Sequence, residues 1–531
     1  MRRLCRILFS RYTICAIVIA LDIALMTYVI MRSVYLYFWI FGIAVICDIA
    51  VVLSLINRDA NPEFKVSWLV AVLAMPLFGA LLYILFYSRR MSRQDSLRMK
   101  KITEEISLYM KGADTDKALS SLAKQSGQFA GQAYSLLGAD PLSSIYKGSS
   151  FRYFSSQEEL YSEMLTAIDG AKKFVFLEYF IIEDGVMWQG IYERLIKKAR
   201  AGLDVRILYD DIGCMSRLPR NFDKRLRREG ISCFRFSRVT PKVTSVHNNR
   251  DHRKLLIVDG EIAFTGGVNI ADEYINLKDT YGHWKDGGAM VLGEAVGGFT
   301  ALFLSLYDFT VRARSDYEAL LGRYRKSEDL KSEETDSKPA KAETEKQGGG
   351  YLIPFGTGPK PLYSKQVGKL AIINALNGAQ SFVYITTPYL IIDYDLTEAL
   401  RRAVSRGVDV RIITPGIADK KIVKIMTKGS YEMLIDAGVR IFEYKRGFIH
   451  EKMLVADGEL AVIGTINLDY RSLVHHFECA LWTCGSKEIS KVREGFMRTL
   501  GDSVEITKST AALGFFEKCV RYTVRLFAPL M

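Results

Sequence analysis

The chain contains an internal duplication, and this constrains its fold more than any other feature. Leu195–Leu208 reads LIKKARAGLDVRIL, and Leu400–Ile413 reads LRRAVSRGVDVRII. Gly230–Phe236 (GISCFRF) has a similar counterpart in Gly438–Tyr444 (GVRIFEY). A period of about 200 residues is too long for a solenoid repeat, so it predicts two similar lobes.

Each copy alternates strand-like and helix-like segments. Lys173–Ile182 is apolar and rich in strand formers, Ile191–Ala201 has helical spacing, and Leu203–Tyr209 is again strand-like. Strand–helix–strand order predicts a parallel sheet covered by helices, so we expect two α/β/α lobes. The first lobe is expected at residues 110–324 and the second lobe at residues 351–510.

Two segments outside the lobes differ from them in composition. Residues 325–350 are rich in Lys, Glu, Ser and Thr, cannot bury a core, and predict a flexible charged linker. In residues 511–531, apolar residues recur at helical spacing and basic residues occupy other positions. This pattern predicts an amphipathic helix. That helix suits a membrane surface, and packing on the second lobe is the equal alternative.

Residues 1–90 are dominated by apolar runs and predict a membrane anchor. We expect three spans, at residues 12–31, 34–56 and 66–88. Asp22 and Asp48 lie inside the first two spans, where helix–helix contacts explain them better than a function does. Three spans place the two ends of the anchor on opposite faces, yet arginines flank both ends, and positive flanks favour the inside.

The cysteines and the charge narrow the compartment and the partners. None of the eight cysteines forms a C-x-x-C pair or a zinc spacing, so we expect free thiols in a reducing compartment. This favours a multi-pass protein of the cell membrane with its catalytic lobes in the cytoplasm. The net charge of +13 next to apolar spans predicts contact with anionic lipid. Nucleic acid is the other polyanion to consider, but no basic groove interleaved with aromatic residues is evident.

The same group of polar residues occurs once in each lobe at the same spacing. The shared pattern is His-x-Lys, an apolar run, Asp, and then a Gly-containing turn that ends in Asn. In the first lobe the residues are His252, Lys254, Asp259, Gly266, Gly267 and Asn269. In the second lobe they are His450, Lys452, Asp457, Gly464, Thr465 and Asn467. Two complete copies inside a repeated unit argue strongly against chance or a decayed repeat.

The residue types in this pattern suit cleavage of a phosphodiester. Residues two apart in a strand face the same side, so each His points with its Lys. One His can attack phosphorus while the other protonates the leaving alkoxide. The lysines can neutralise the phosphoryl oxygens, and Asn269, Asn467, Gly266, Gly464 and Thr465 are candidates to bind the phosphate. No metal and no cofactor is required by this chemistry.

Two further acids are candidates to orient the histidines. Asp286 follows His252 by 34 residues, and Glu478 follows His450 by 28 residues. Each acid is expected to accept the imidazole N–H of the histidine in its own lobe and so to fix the tautomer. A surface ion pair is the alternative. Asp259 and Asp457, in contrast, are expected to hold the architecture rather than to contact substrate.

These motifs resemble those of the phospholipase D superfamily, and more specifically those of bacterial cardiolipin synthases. The likeness is carried by HRKLLIVDGEIAFTGGVNIADEY at His252–Tyr274 and HEKMLVADGELAVIGTINLDYRSLVHHFECALW at His450–Trp482. The resemblance implies that two phosphatidylglycerol molecules become cardiolipin and glycerol. It also implies a catalytic set of His252, Lys254, Asp259, His450, Lys452 and Asp457. The third predicted span and the long linker depart from the family pattern.

Three other functions remain open at the level of the sequence. A phospholipase D-type hydrolase would use water as acceptor, a membrane-tethered nuclease would suit the positive charge, and a scaffold would have no activity. Complete duplicate motifs argue against the scaffold. The sequence leaves open which histidine is the nucleophile, the acyl-chain preference, other alcohol acceptors and the oligomeric state.

Overall fold

The computed structural model describes residues 11–32, 34–59, 61–76, 78–87, 92–110, 113–238, 249–324, 350–360 and 362–527. The chain divides into two compact units. An anchor unit contains Met1–Met91, Val239–Asn248 and Cys519–Met531, and a catalytic unit contains Ser92–Arg238 and Asn249–Lys518. The predicted linker, apart from Gly350, lies outside the described residues.

The anchor unit is helical, but its third predicted span is not one helix. The described helices before residue 92 are Arg11–Arg32, Val34–Ile56, Pro62–Ala74 and Phe78–Tyr87. One continuous helix over 66–88, as a single span would need, is therefore not observed. The chain turns at Met75–Pro76, because Pro76 has no N–H to continue the helical ladder and the amide of Phe78 instead donates to the carbonyl of Pro76 (2.9 Å).

The two short helices pack against each other as a hairpin. A Cβ placed on Gly79 would lie 2.5 Å from the carbonyl oxygen of Ala71 and 2.6 Å from the Cα of Val72. Glycine at this position therefore permits the close approach of the two backbones. Trp68 and Tyr83 meet edge to face across the hairpin with ring centroids 5.4 Å apart.

One helix in the described part of the chain is long and apolar enough to cross a membrane. It is Phe38–Ile56, with 19 residues and a mean hydropathy of 2.6. Asp22 and Asp48 are both buried within the anchor unit, as expected for acids at helix–helix contacts. The helix Val296–Val311 is also apolar, but it is buried in the catalytic unit and is a core helix.

The catalytic unit contains two large sheets and two small sheets of two strands each. The strands of the first part of the unit are β1 (Tyr146–Lys147), β2 (Ser150–Phe154), β3 (Phe174–Tyr179), β4 (Asp204–Asp210), β5 (Ser232–Phe236), β6 (Lys254–Val258), β7 (Ile262–Gly266), β8 (His283–Lys285) and β9 (Gly288–Leu292). Those of the second part are β10 (Tyr351–Thr357), β11 (Phe382–Thr386), β12 (Leu390–Ile391), β13 (Asp409–Pro415), β14 (Arg440–Tyr444), β15 (Gly447–Ile449), β16 (Met453–Ala456), β17 (Leu460–Gly464), β18 (Leu468–Asp469), β19 (Glu478–Cys484) and β20 (Ser503–Ile506). The two small sheets are β12-β18 and β15-β8.

Helices precede, alternate with and follow the strands of these sheets along the chain. In the first part they are Arg93–Met110, Ala113–Gln125, Gly127–Ala139, Gln157–Gly170, Val186–Arg200, Asp211–Cys214, Phe222–Arg228, Val296–Val311 and Tyr317–Leu321, with 3₁₀ turns at Asp272–Ile275 and Gly322–Tyr324. In the second part they are Val367–Gly378, Tyr394–Ser405, Lys421–Asp436, Ile489–Gly501 and Lys508–Ala511, with a π turn at Arg471–His475. The last described helix, Phe515–Phe527, begins in this unit and continues into the residues of the anchor unit.

The two large sheets have the same strand order, which confirms the predicted duplication. The first sheet runs β2-β9-β7-β6-β3-β4-β5. The second sheet runs β1-β10-β19-β17-β16-β11-β13-β14-β20 and adds an edge strand on each side. In both sheets only three strands are parallel, β3-β4-β5 and β11-β13-β14, and the others are antiparallel. The prediction of a parallel sheet therefore holds for one half of each sheet.

The predicted boundary of the first lobe needs correction. Strand β1 pairs with β10 of the second sheet, and the carboxylate of Asp140 accepts the amide of Gly356 at 2.7 Å. Gln128 donates to the carbonyl of Gly378 in the second lobe at 2.7 Å. The first sheet accordingly begins at Ser150 rather than near residue 110.

Two strand pairings join the lobes beside the motif histidines. Strands β8 and β15 pair in parallel, with Phe448 opposite Trp284. An isolated bridge pairs Asp251 with Phe477. Each pairing brings the segment before a motif histidine in one lobe alongside the segment before an acid in the other.

Candidate active site

The structure brings the two predicted His-x-Lys motifs together between the lobes. Each motif stands at the start of a central strand, β6 or β16, at the edge where the neighbouring parallel strands β3 and β11 end. The carboxyl ends of parallel strands are the usual place for a ligand in α/β folds. His252, Lys254, His450 and Lys452 are all buried. The four groups are close enough for the lysine charges of both lobes to act on each histidine.

Each histidine is oriented by the acid of the other lobe. The Nδ1 atom of His252 lies 2.9 Å from Oε2 of Glu478, and the Nδ1 atom of His450 lies 2.8 Å from Oδ2 of Asp286. The expectation that each acid serves its own lobe is therefore wrong. The cause is the backbone: His252 N–H donates to the carbonyl of Phe477, the residue before Glu478, at 2.9 Å.

The second half-site repeats this arrangement. His450 N–H donates to the carbonyl of Lys285, the residue before Asp286, at 2.7 Å. A carboxylate at Nδ1 holds the proton on that atom and leaves Nε2 as the nitrogen that can react or exchange a proton. In both imidazoles, Nε2 is therefore the nitrogen that is free to react.

The electrostatics favour neutral histidines in the free site. Burial lowers the pKa of His252 and of His450 well below the ordinary value, and the ammonium groups of Lys254 and Lys452 lower both further. A neutral imidazole has a free lone pair on Nε2, which a nucleophile or a base requires.

The lysines are also perturbed by burial. Desolvation lowers the pKa of Lys254 to about 8 and that of Lys452 to about 7, against the attraction of Glu478 and Asp286. Lys254 donates to the carbonyl of His252 at 2.6 Å, and Lys452 makes the equivalent bond to the carbonyl of His450. An anionic phosphate between them would restore the charge of both ammonium groups, because an opposite charge favours the ionised form.

Asp259 and Asp457 do not belong to this cluster, which corrects the set implied by the family resemblance. The carboxylate of Asp259 accepts the backbone amides of Lys172, Lys173 and Phe174 at 2.7–2.9 Å. It lies at the far end of β6, roughly 20 Å from His252 at the usual rise of a strand.

The equivalent carboxylate of Asp457 has the same role in the second lobe. It accepts the amides of Gln380, Ser381 and Phe382 at 2.8–2.9 Å. Both acids begin an Asp-Gly turn with positive φ at both residues, within a three-residue connection between the paired strands. These contacts agree with the architectural role that the sequence predicted for Asp259 and Asp457.

The predicted phosphate-binding residues are mostly committed to protein partners. Gly266 and Gly464 end β7 and β17, where a Cβ would lie 2.4 Å from a carbonyl oxygen of the neighbouring strand. Asn269 accepts the amide of Ile181 at 3.2 Å and donates to the hydroxyl of Tyr274 at 2.7 Å.

The second lobe uses Thr465 to hold an acid rather than to present a donor to substrate. Its hydroxyl donates to Oε2 of Glu478 at 2.5 Å, and Ser472 donates to Oε1 at 2.5 Å. The side-chain oxygen of Asn467 is buried and has no hydrogen-bond partner among the described residues. This oxygen is an acceptor, so it suits a substrate hydroxyl rather than a phosphoryl oxygen.

Comparisons with known proteins assign the chain to a family with this kind of site. A family model described as "Cardiolipin synthase, PLD-like domain" matches residues 164–282 and 372–500, and one described as "Phospholipase_D-nuclease N-terminal" matches residues 46–86. A cardiolipin synthase of Alkalihalophilus pseudofirmus is 30% identical over 507 residues, which cover 94% of this chain and 95% of that protein. The chain belongs to the cardiolipin synthase family of phospholipase D-like proteins.

Two further comparisons concern the extent of sequence likeness and the fold. An uncharacterized protein of Streptococcus mutans is 37% identical, with 90% of this chain and 99% of that protein covered. The crystal structure of a phosphatidylserine synthase of Haemophilus influenzae covers 72% of this chain and 93% of its own at a TM-score of 0.51. At 14% identity that likeness shows the shared fold alone. The protein is therefore a phospholipase D-superfamily enzyme similar to cardiolipin synthases, and Phe38–Ile56 indicates membrane association.

The two half-sites of this cardiolipin synthase-like centre have different walls, which the repeat did not predict. Beside His252 lie Phe180, with ring centroids 4.9 Å apart, and His476, at 5.4 Å. Beside His450 lie Tyr274 at 5.4 Å and Trp284 at 5.3 Å. Trp284 and His476 each precede the orienting acid by two residues, and this spacing was the signal that could have identified them.

Three side chains of the His252 half-site offer atoms that could hold a metal ion. Ligand atoms of His252, His476 and Glu478 lie within 4.8 Å of one another. The contact between His252 and Glu478 already serves to orient the imidazole, and the Nδ1 atom of His476 lies 3.7 Å from the same carboxylate. The buried lysines opposite raise the electrostatic cost of placing a further cation there.

Proposed function

We propose that the enzyme is a cardiolipin synthase that transfers a phosphatidyl group from one phosphatidylglycerol to another. The products are cardiolipin and glycerol, and the intermediate is a phosphatidyl-histidine. The observation that carries the proposal is the pair of equivalent half-sites, each with a neutral imidazole oriented through Nδ1 and a buried lysine. The extended likeness to cardiolipin synthases supports the same substrate.

In the first step, Nε2 of His252 attacks phosphorus of the donor lipid, and the bond from phosphorus to the glycerol oxygen breaks. His450 gives a proton to that oxygen, so glycerol leaves as a neutral alcohol. His450 must hold a second proton at this stage. The bound phosphodiester anion favours that state, because it offsets the lysine charges that lower the pKa of His450.

In the second step, His450 removes a proton from a hydroxyl of a second phosphatidylglycerol, and that oxygen attacks phosphorus. The bond from phosphorus to His252 breaks, and cardiolipin is released. Lys254 and Lys452 stabilise the negative charge on the non-bridging oxygens in both steps. Glu478 and Asp286 orient the histidines, and the uncommitted oxygen of Asn467 is available to accept a substrate hydroxyl.

The choice of His252 as nucleophile is part of the proposal, and one experiment tests it. An activated phosphodiester with a nitrophenol leaving group needs no acid, so His450→Ala should still form the covalent adduct, whereas His252→Ala should not. Peptide mass mapping would locate the adduct. An adduct on residue 450 in the His252→Ala variant would reverse the two roles.

Membrane anchoring supports transfer to lipid over hydrolysis. The apolar helix Phe38–Ile56 would keep the enzyme at a bilayer, where acceptor lipid is at high effective concentration. We further propose a multi-pass anchor in the cell membrane, catalytic lobes in the cytoplasm, and an interfacial role for Phe515–Phe527, on which Phe515 and Phe516 are strongly exposed.

The proposed function is tested with labelled phosphatidylglycerol in bilayers that contain the full-length protein. We expect cardiolipin and free glycerol in equal amounts, little phosphatidic acid, and reversal by added glycerol. Dominant phosphatidic acid would identify a hydrolase, and cleavage of added nucleic acid without lipid turnover would identify a nuclease. The absence of all three activities would identify a scaffold.

A further inference from the structure

Two exposed isoleucines occupy equivalent positions in the two lobes. Ile212 follows the end of β4 by two residues, and Ile417 follows the end of the matching strand β13 by two residues. Their exposed fractions are 40% and 42%. Strands β4 and β13 end at the same edge of their sheets as the strands beside the catalytic motifs, so both isoleucines stand at the rim of the active site.

Contacts along the chain place Ile212 next to the His252 half-site. Gly213, the following residue, packs against the backbone of Phe180, where a Cβ would lie 2.0 Å from the carbonyl oxygen. The ring of Phe180 lies 4.9 Å from that of His252. Ile212 is therefore separated from the catalytic imidazole by one layer of protein.

Ile417 has the same relationship to the His450 half-site. Its amide donates to the carbonyl of Gly447 at 3.2 Å, and the ring of the next residue, Phe448, lies 6.0 Å from that of His450. Leu277, with an exposed fraction of 59%, follows Asn276, whose side chain donates to the carbonyl of Trp284 at 3.1 Å. Exposed aliphatic side chains thus lie near both half-sites.

Cations accompany these aliphatic residues on the second-lobe side of the rim. Lys420 and Lys421 are exposed and follow Ile417 by three and four residues, and Ile422 is 52% exposed. The acid of this segment, Asp419, accepts the hydroxyl of Tyr389 at 2.6 Å and lies 3.7 Å from the ammonium group of Lys420. Exposed aliphatic residues next to exposed lysines are the combination that binds an anionic membrane surface.

We propose that this rim docks on the surface of an anionic bilayer so that the active site opens directly onto lipid. The docking rim consists of Ile212, Leu277, Ile417, Ile422, Lys420 and Lys421. The aliphatic side chains enter the interface, and the two lysines contact anionic head groups. The inference rests on the proposed function, because a lipid substrate is the reason for the site to face a bilayer.

A depth measurement tests the proposal without reference to activity. The full-length protein would carry one fluorophore, at Ile417→Cys or at the control Leu108→Cys, in a background without other cysteines, and be reconstituted in phosphatidylglycerol nanodiscs. Leu108 is a suitable control because it is 68% exposed and lies one helical turn beyond Glu105, which pairs with Arg314 at 2.8 Å. Ser315, the next residue, bonds Arg206 near the beginning of β4, the edge opposite the rim.

Lipids with a nitroxide in the acyl chain should quench the fluorophore at position 417 and spare the one at position 108. Equal quenching at both positions, or none at either, would overturn the proposal. Shielding of position 417 from aqueous quencher without quenching by lipid would mean that a protein, such as a second copy of the chain, covers the rim, and would overturn it as well.

An activity measurement supplies the second test. Ile212→Ser with Ile417→Ser should lower turnover of bilayer phosphatidylglycerol about 10-fold or more and leave turnover of a monomeric short-chain phosphatidylglycerol within about 2-fold, because only the bilayer substrate needs docking. Leu108→Ser should change neither rate. Equal losses on both substrates would contradict docking. A wild-type protein without synthase activity would refute the proposed function, while the quenching result would still decide the docking.

Discussion

The carboxylate of Glu478 in the second lobe lies 2.9 Å from Nδ1 of His252 in the first lobe. Asp286 makes the converse contact to His450 at 2.8 Å. Each half-site is therefore built from a motif of one lobe and an acid of the other, held together by strand pairings that cross between the lobes. Neither lobe contains a complete half-site, and a change in one acid should affect the histidine of the opposite lobe.

The crossed pairing predicts which chemical step each acid controls. Glu478→Gln should slow formation of the covalent adduct at His252 even with an activated nitrophenyl substrate, by about 10- to 100-fold. Asp286→Asn should spare that step and slow transfer between natural lipids to a similar degree, since it disturbs the acid–base histidine. Single-turnover kinetics separate the two steps. The opposite pattern of losses would indicate that each acid serves its own lobe.

The two histidines should act as a unit. His252→Ala and His450→Ala should each abolish phosphatidyl transfer, because one imidazole cannot be the nucleophile and the acid at the same time. The double variant should be no slower than either single variant, as expected for groups that act in one mechanism. Steady-state turnover of phosphatidylglycerol measures this, and substantial activity in either single variant would disprove the two-histidine mechanism.

The perturbed lysines predict an alkaline limit to activity. Burial lowers the pKa of Lys452 to about 7 and that of Lys254 to about 8, so the free enzyme loses ammonium charge as the pH rises through this range. kcat/KM should therefore fall above about pH 7–8, since it reports the free enzyme. Lys452→Arg should move this limb to higher pH, because arginine stays protonated. A profile flat to pH 10 would show that the lysines keep their charge without substrate.

Asp259 and Asp457, which lie away from the histidine cluster, should affect stability rather than catalysis. Asp259→Asn should lower the free energy of unfolding by about 1–3 kcal/mol, because a buried amide loses its acceptor, and the folded fraction should retain normal kcat. Asp457→Asn is a matched control with three equivalent amide bonds at a more exposed position, so a smaller loss is expected. Thermal unfolding with parallel kinetics measures both. A large fall in kcat at unchanged stability would return Asp259 to the catalytic set.

The helical hairpin in the anchor predicts a testable topology. If Pro62–Ala74 and Phe78–Tyr87 enter and leave on one face, Asn57→Cys and Tyr87→Cys should react with an impermeant thiol reagent from the same side of sealed vesicles. Arg32→Cys should react from the opposite side, since Val34–Ile56 lies between residues 32 and 57. A cysteine-free background is needed. Labelling of positions 57 and 87 from different sides would restore a single crossing at 66–88.

The sequence predicted the motifs and strands that are repeated in both lobes. It did not predict the contacts that join one lobe to the other. Matched spacing was sufficient to predict the two lobes, and the need for two histidines in one phosphodiester reaction led to the prediction that His252 and His450 converge. The partners of Asp286 and Glu478 could not be predicted, since β8 and β15 pair between lobes and no spacing along the chain records that. Hydropathy alone also did not predict the break within 66–88, where Pro76 and Gly79 favour two short helices over one long helix.

The hairpin has a consequence for the distribution of charge across the membrane. If the hairpin returns to the face it entered, and Arg11–Arg32 and Val34–Ile56 make one passage out and one back, the start and the end of the anchor lie on the same side. Among the described cations of the anchor, Arg32 then belongs to the far face, and Arg11, Arg58 and Lys65 belong to the near face. The two arginine-rich flanks no longer compete for the inside, because an even number of crossings satisfies both.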